Sequence, residues 1–273
     1  MIPASFDYLR AASIDEAVAA LGEHGDDAKL LAGGMSLLPL MKLRLATPAV
    51  LVDIGRIREL SYVRDAGDHL GVGALTRHRD LETNELLGQQ CGALRAVAAE
   101  VGDNQVRHRG TIGGSVAHGD PASDLPALLL ALDTTFVARS PGGERTLPAR
   151  EFFQRFLETA LGPDELLTEI RVPKLPGAGY SYQKFQRRAQ DWAIVGAIAV
   201  RNGGTRVSLV NMGGTPLRAT GVEEALAQGA SPAEAAERAA EGTEPPGDLN
   251  ASPEYREHLA RVLVRRALEV ASA

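Results

Sequence analysis

The stretch Ala32-Gly33-Gly34-Met35-Ser36-Leu37-Leu38-Pro39 decides how this chain is read. Paired glycines separate an apolar run, Ala28 to Leu31, from a segment with helical spacing over Leu37 to Leu43. Glycine has no Cβ, so the backbone can turn tightly and bring its N–H groups close to a ligand. A second stretch, Thr111-Ile112-Gly113-Gly114-Ser115, repeats the arrangement. Amides converging from a loop and a helix start form an anion site without any lysine, and two such loops suit the two ends of a diphosphate. Each loop taken alone also reads as an ordinary tight turn. Their pairing and their flanks favour the ligand-binding reading.

Before the first loop, Phe6 to Leu9 reads as a strand and Ser13 starts a helix that runs to His24. Ser13 and Glu16 have capping-box spacing, and Gly25 stops the helix. Leu51 to Ile54 is a further strand, so the first 55 residues read as a small β-α-β-loop-α-β unit. From Ser61 the pattern changes. Tyr62–Arg64 and Leu70–Ala74 flank Asp65-Ala66-Gly67-Asp68, a hairpin signal. One long helix is expected over Glu85–Val101, then the second glycine loop, a helix over Leu125–Leu132, and strands at Thr134–Ala138 and Leu166–Val172. These form an α+β domain at 56–176. After the connector Lys174 to Gly179, three segments (Tyr180–Gln186, Ala193–Arg201 and Thr205–Met212) read as an antiparallel meander turned at Asn202-Gly203-Gly204. Gly213-Gly214-Thr215-Pro216 is expected to end that sheet, and three alanine-rich helices complete a domain at 177–273.

Composition narrows the functions. The 273 residues have a formal net charge of −6, which argues against non-specific nucleic-acid binding. The single cysteine, Cys91, cannot form an intrachain disulfide, a cysteine zinc site or an iron–sulfur cluster held by this chain alone. It falls in an apolar helical pattern and reads as buried and inert. No apolar run is long enough to span a bilayer and no signal peptide is evident, so a soluble, cytoplasmic protein is expected.

The usual catalytic signatures are missing. Gly71-Val72-Gly73-Ala74-Leu75-Thr76 fails the dinucleotide fingerprint at its last position, no lysine is followed by Ser or Thr, and Ala117 replaces the final glycine of a hydrolase elbow at Ser115. Asp124 reads either as a helix N-cap or as a carboxylate for a ligand hydroxyl. His78 and His118 read as polar scaffolding. A protein that passes electrons through a bound cofactor needs binding, orientation and electrostatics more than an acid–base pair.

With these residues in view, the chain resembles the flavin-binding medium subunit of the molybdenum hydroxylases, the family of carbon monoxide dehydrogenases, nicotine- and quinoline-type dehydrogenases and the middle portion of xanthine dehydrogenase. The similarity covers essentially the whole length, from Phe6-Asp7-Tyr8 with Ser13–Ala17 and the first glycine stretch with Met41-Lys42-Leu43-Arg44-Leu45 through Gly73-Ala74-Leu75-Thr76-Arg77-His78 and Arg107-His108-Arg109-Gly110-Thr111-Ile112-Gly113-Gly114. It continues in Ala117-His118-Gly119-Asp120-Pro121-Ala122-Ser123-Asp124, Lys184-Phe185, Asp191-Trp192-Ala193, Gly213-Gly214-Thr215-Pro216-Leu217-Arg218 and Arg265-Arg266-Ala267-Leu268. The resemblance implies an α+β fold: a two-domain FAD-binding unit of the vanillyl-alcohol-oxidase type, followed by a C-terminal antiparallel sheet with helices.

It also implies FAD between the first two domains. Leu30, Leu31, Ala32, Gly33, Gly34, Met35, Ser36 and Leu37 would wrap the diphosphate and adjoining chain. Thr111, Ile112, Gly113, Gly114 and Ser115 would approach it from the other side. Asp124 would take a ligand hydroxyl, Leu167 would touch the flavin through its backbone, and Lys184 and Trp192 would lie near the ring. Met35, Ser115 and Gly119 depart from the residues common at these positions in the family. The implied function is electron transfer within a heteromeric oxidoreductase: electrons arrive from [2Fe–2S] clusters on a small subunit and leave to an external acceptor. Substrate is oxidised on a large molybdopterin subunit, and the three chains are usually duplicated as a heterohexamer. A stand-alone FAD oxidoreductase and a flavin-free assembly module remain open readings of the same residues.

Overall fold

The strand Asp7–Arg10 (β1), the helix Ile14–His24 (α1) and the strand Ala28–Leu31 (β2) open the computed structural model, which describes residues 2–272. Ser13 caps α1 by accepting from the Glu16 amide, and the Glu16 carboxylate accepts from the Ala12 amide at 2.7 Å. The reciprocal arm of the capping box therefore lands one residue earlier than its spacing predicts. The helix Leu37–Lys42 (α2) and the strand Val50–Asp53 (β3) follow. The three strands form a parallel sheet in the order β1-β3-β2, with Ala17, Val18 and Leu21 of α1 packed beneath it. Parallel order places the ends of β2 and β3 together, so the first glycine stretch leaves the sheet at its carboxyl edge.

Strands Val63–Asp65 (β4) and His69–Gly73 (β5) form the expected hairpin. The segment after it departs from expectation. In place of one long helix over 85–101 there are two short ones, Glu85–Gln90 (α4) and Gly92–Ala99 (α5), flanked by two more that the pattern did not announce, His78–Thr83 (α3) and Asn104–Arg109 (α6). Cys91 takes φ −156°, ψ 67° and interrupts the run, while the Leu175 amide donates to the Gln90 carbonyl that the break leaves over, at 2.6 Å. Asn84 and Asp103 cap two of the short helices with their side-chain oxygens.

Helices Ile112–His118 (α7) and Asp124–Ala131 (α8) come next, and all eight residues of α8 are buried. Strands Thr135–Ser140 (β6) and Gly143–Pro148 (β7), the turn of helix Ala149–Phe152 (α9), the short strands Phe153–Arg155 (β8) and Glu158–Thr159 (β9), and Leu166–Pro173 (β10) complete this part. The five-stranded sheet runs β4-β5-β10-β6-β7. Its central strand β10 carries an irregularity between Leu167 and Glu169.

Strands Gly179–Phe185 (β11), Val195–Asn202 (β12) and Gly204–Val210 (β13) form the expected meander, joined by a fourth strand, Leu217–Arg218 (β14), that sequence patterning omits. One face of this sheet packs on helices Thr220–Ala227 (α10), Pro232–Ala236 (α11) and Pro253–Ala271 (α12). The other face contributes Ile198, Val200 and Val210 to the same hydrophobic core as α5, α8 and β10. The core thus runs on across the connector between β10 and β11. No helix of the described residues is long and apolar enough to cross a membrane.

Candidate functional site

A cleft of about 770 Å³ lies where the carboxyl edge of the parallel sheet meets α7 and the β11–β12 hairpin. Its size falls within the roughly 300–1,000 Å³ of small-molecule and cofactor sites. Of the residues singled out by sequence, Leu30, Ala32, Gly33, Gly34, Met35, Ser36 and Leu37 line one wall. Thr111, Gly113, Gly114, Ser115, Asp124, Leu167, Lys184 and Trp192 line the rest. Leu31 and Ile112 stand behind the walls: the Leu31 side chain reaches beneath Gly34, and Ile112 is fully buried in the core.

The two glycine stretches prove to be different objects. The first is a loop entering α2. Among the described residues, the N–H groups of Gly33 through Leu37 have no protein acceptor; the first amide bonded back is that of Leu38, to the Gly34 carbonyl at 3.1 Å. The second is no loop at all but the first turn of α7, capped by Thr111. Its amides are spent within the protein. Ile112 donates to Thr76, Gly113 to Ala74 at 2.9 Å, Gly114 to the Thr111 hydroxyl at 3.1 Å and Ser115 to the Thr111 carbonyl. What Gly113 provides is closeness: a Cβ there would stand 2.5 Å from the Ala74 Cβ and 2.6 Å from its carbonyl oxygen. Gly33 plays the matching part on the first wall, since a Cβ there would run into the Arg109 carbonyl and come within 3.0 Å of the Gly110 Cα. Gly33 thus lets the first stretch approach the residues just before Thr111, and Gly113 lets α7 approach the end of β5.

Asp124 and Lys184 meet at the far end of the cleft, with 6% of each side chain exposed. Asp124 is the first residue of α8, and its N-cap is Ser123, so the capping alternative for Asp124 does not hold. Its carboxylate is held on both oxygens, by the Tyr182 hydroxyl and by Lys184 Nζ at 2.9 Å. Lys184 Nζ also donates to the Glu100 carbonyl at 2.9 Å. Burial pushes the Asp124 carboxyl above its usual range, and Lys184 and Tyr182 oppose that rise. Tyr182 was not singled out by sequence; its signal was the two-residue spacing from Lys184, which puts both on one face of β11.

Trp192 sits on the hairpin loop between β11 and β12 with 57% of its surface exposed at the cleft. His78 lines the cleft but is buried, its Nδ1 has no partner among the described residues, and burial holds its pKa down to about 4. Cys91 is buried and its thiol is pushed up to about 11, in keeping with an inert role.

A parallel β-α-β unit and an antiparallel sheet that close on an amide-rich cleft, with a further antiparallel sheet supplying the lysine of a buried ion pair to α8, define a cofactor-binding protein of mixed α and β structure. Residues 4–175 match the family described as the FAD binding domain in molybdopterin dehydrogenase, and residues 180–271 match the CO dehydrogenase flavoprotein C-terminal domain. The carbon monoxide dehydrogenase medium chain of Hydrogenophaga pseudoflava is 43% identical, across 100% of this chain and 99% of its own. The 6-hydroxypseudooxynicotine dehydrogenase complex subunit alpha of Paenarthrobacter nicotinovorans is 38% identical, across 98% of this chain and 95% of its own. Among solved structures, the carbon monoxide dehydrogenase of H. pseudoflava superposes with a TM-score of 0.96 at 43% identity, covering 100% of this chain and 99% of that one. Quinoline 2-oxidoreductase of Pseudomonas putida 86 superposes at 0.92 with 32% identity, covering 100% and 99%. The chain belongs to the FAD-binding medium subunits of molybdopterin-dependent dehydrogenases and is an oxidoreductase component.

The residues present fit that cofactor. A diphosphate needs donors that no protein group already occupies, and the Gly33–Leu37 amides are such a set. A bulky ligand between two walls needs glycine where the walls converge, as at Gly33 against Arg109 and Gly110.

Proposed function

We propose that this chain is the electron-transfer subunit of a heteromeric molybdenum hydroxylase of the carbon monoxide dehydrogenase or aromatic-heterocycle dehydrogenase type. In this reading, [2Fe–2S] clusters on a small partner subunit deliver electrons to the cleft, an external acceptor takes them away, and a large molybdopterin subunit oxidises the substrate. The observation that carries it is the run of unpartnered amides from Gly33 to Leu37 at the cleft wall. FAD, when bound, supplies the exchange between one-electron and two-electron transfer. The one cysteine leaves the chain unable to ligate an iron–sulfur cluster by cysteines of its own, so that chemistry falls to a partner.

Each wall has a distinct task in this reading. Leu30 to Leu37 bind and orient the diphosphate. Thr111 to Ser115 shape the opposite wall. Leu167, Lys184 and Trp192 surround the ring, with Lys184 favouring the electron-rich form of the bound group by its charge. Segments 1–55 and 56–176 act as the clasp, and segment 177–273 buttresses it and offers partner surface. Three chain types, each duplicated, form the proposed heterohexamer. The unpaired Cys91 suits a reducing compartment, and a cytoplasmic location is part of the proposal.

The test is the visible spectrum and metal content of the native complex pulled down with this chain. FAD with iron and molybdenum is the expected result. FAD with neither metal would replace the proposal by a stand-alone oxidoreductase, and a colourless protein that takes up no added FAD would overturn the cleft assignment. Within the loaded protein, Lys184→Met is expected to lower the flavin midpoint potential; an unchanged potential would remove Lys184 from that role.

A further inference from the structure

Tyr182 does not reach the cleft, yet its hydroxyl touches the carboxylate that fixes Lys184. We propose that Tyr182 is a positioning residue for the bound cofactor: by holding one oxygen of Asp124, it keeps the other oxygen on Lys184 and keeps the pair charged. This rests on the reading of the cleft as an FAD site.

The geometry is a relay of three side chains from two elements. Tyr182 and Lys184 leave the same face of β11, and Asp124 stands between them at the start of α8. Room for the phenol comes from β12. Gly196 lies opposite Lys184, and a Cβ at Gly196 would meet the Tyr182 ring at 3.0 Å and its hydroxyl oxygen at 3.1 Å. An ammonium group has three donors. Asp124 and the Glu100 carbonyl take two, which leaves one for the cleft that Lys184 lines.

The electrostatic consequence follows from the count of charges. An ionised Asp124 beside Lys184 makes a neutral pair, which a ligand in the cleft feels as a dipole. A protonated Asp124 leaves the lysine as a full positive charge, which stabilises a reduced, negatively charged ligand much more. The phenol donates to Asp124 and so favours the ionised form. The Glu100 carboxylate, which follows α5, acts on Asp124 in the opposite sense. Removing the phenol therefore makes Asp124 take up its proton at higher pH. The potential of the bound flavin then rises, on acidification, earlier than in the parent protein.

The experiment is the midpoint potential of the bound FAD against pH, in the parent complex and in Tyr182→Phe, with FAD content measured first. If the parent complex holds no FAD, the functional reading fails and takes this inference with it. If FAD is present in both, the acid-side rise in potential is expected to move up by about one pH unit or more, the size of one lost hydrogen bond to a charged group. Superimposable profiles with full FAD content would overturn the inference and leave the functional reading intact. Should Tyr182→Phe not retain FAD, Asp124→Asn gives the same reading from the other side. It fixes the neutral form, and the expected profile lacks the acid-side inflection and lies at a raised potential. Persistence of the inflection in Asp124→Asn, or loss of FAD from both folded variants, would overturn the inference.

Discussion

The two glycine stretches look alike as letters and differ as structures. Gly33-Gly34 belongs to a loop whose next amides are unpaired, whereas Gly113-Gly114 lies in a capped helical turn whose amides are all bonded within the protein. The first stretch offers donors, and the second offers proximity. A repeated motif can thus divide one task, with one copy supplying hydrogen bonds and the other the space in which they act.

The sharpest way to break this comparison is Gly113→Ala. In an ordinary helix the change would stabilise by about 1 kcal/mol. Here the added methyl meets the Cβ, carbonyl and Cα of Ala74 at 2.5–2.8 Å, so a loss of about 3 kcal/mol or more is expected, read as a lower denaturant midpoint. A neutral result would mean that the two elements can separate at no cost.

The next effect is one of pH, and it belongs to the second stretch alone, because His78 lies against Gly110 just before it. Burial, with Arg77 and Arg107, lowers the His78 pKa from 6.5 to about 4. Between those values the unfolded chain binds a proton that the folded chain refuses. Stability therefore falls as pH drops through that window, by up to about 3 kcal/mol. His78→Leu is expected to flatten that limb of the stability profile, and an unaltered slope would place its origin elsewhere.

Gly114→Val is expected to lower FAD affinity at least tenfold, about 1.4 kcal/mol, while the fold persists. Its Cβ would stand 2.7 Å from the Thr111 hydroxyl, at the cleft wall. Stoichiometric FAD in the folded variant would contradict the wall assignment. The smallest effect sharpens the division of labour: Thr111→Ala should cost about 1 kcal/mol of stability through the lost cap. Because that hydroxyl serves the Gly114 amide, titration should find FAD affinity within about threefold of the parent.

Much of this was legible in the sequence, and the reasons are local. Ser13 with Glu16, and Gly25, bracket α1 by side-chain capping and a glycine stop at positive φ, which need no distant partner. The β4–β5 turn and the Asn202–Gly204 turn announce themselves in the same way. What stayed hidden depends on contacts between remote segments. The apolar period over 85–101 continues through Cys91, and the break there is matched by Leu175. β7 is exposed except at Leu147 and Pro148, so it carries no alternation to read. At the site, Asp124 and Lys184 were both visible as candidates, but their pairing was not. Nor was the Glu100 carbonyl, since a backbone acceptor has no letter of its own.

The core that runs from α8 into β12 and β13 bears on how the molecule comes apart. Ile198, Val200 and Val210 bury themselves against residues on the far side of the β10–β11 connector. Exposing them to water strips the same apolar surface from α5 and α8, so neither side can open without the other. Amide protons in β12 and α8 should accordingly exchange with deuterium through one shared event. A protease cut in the connector would leave two nicked pieces still clasped together.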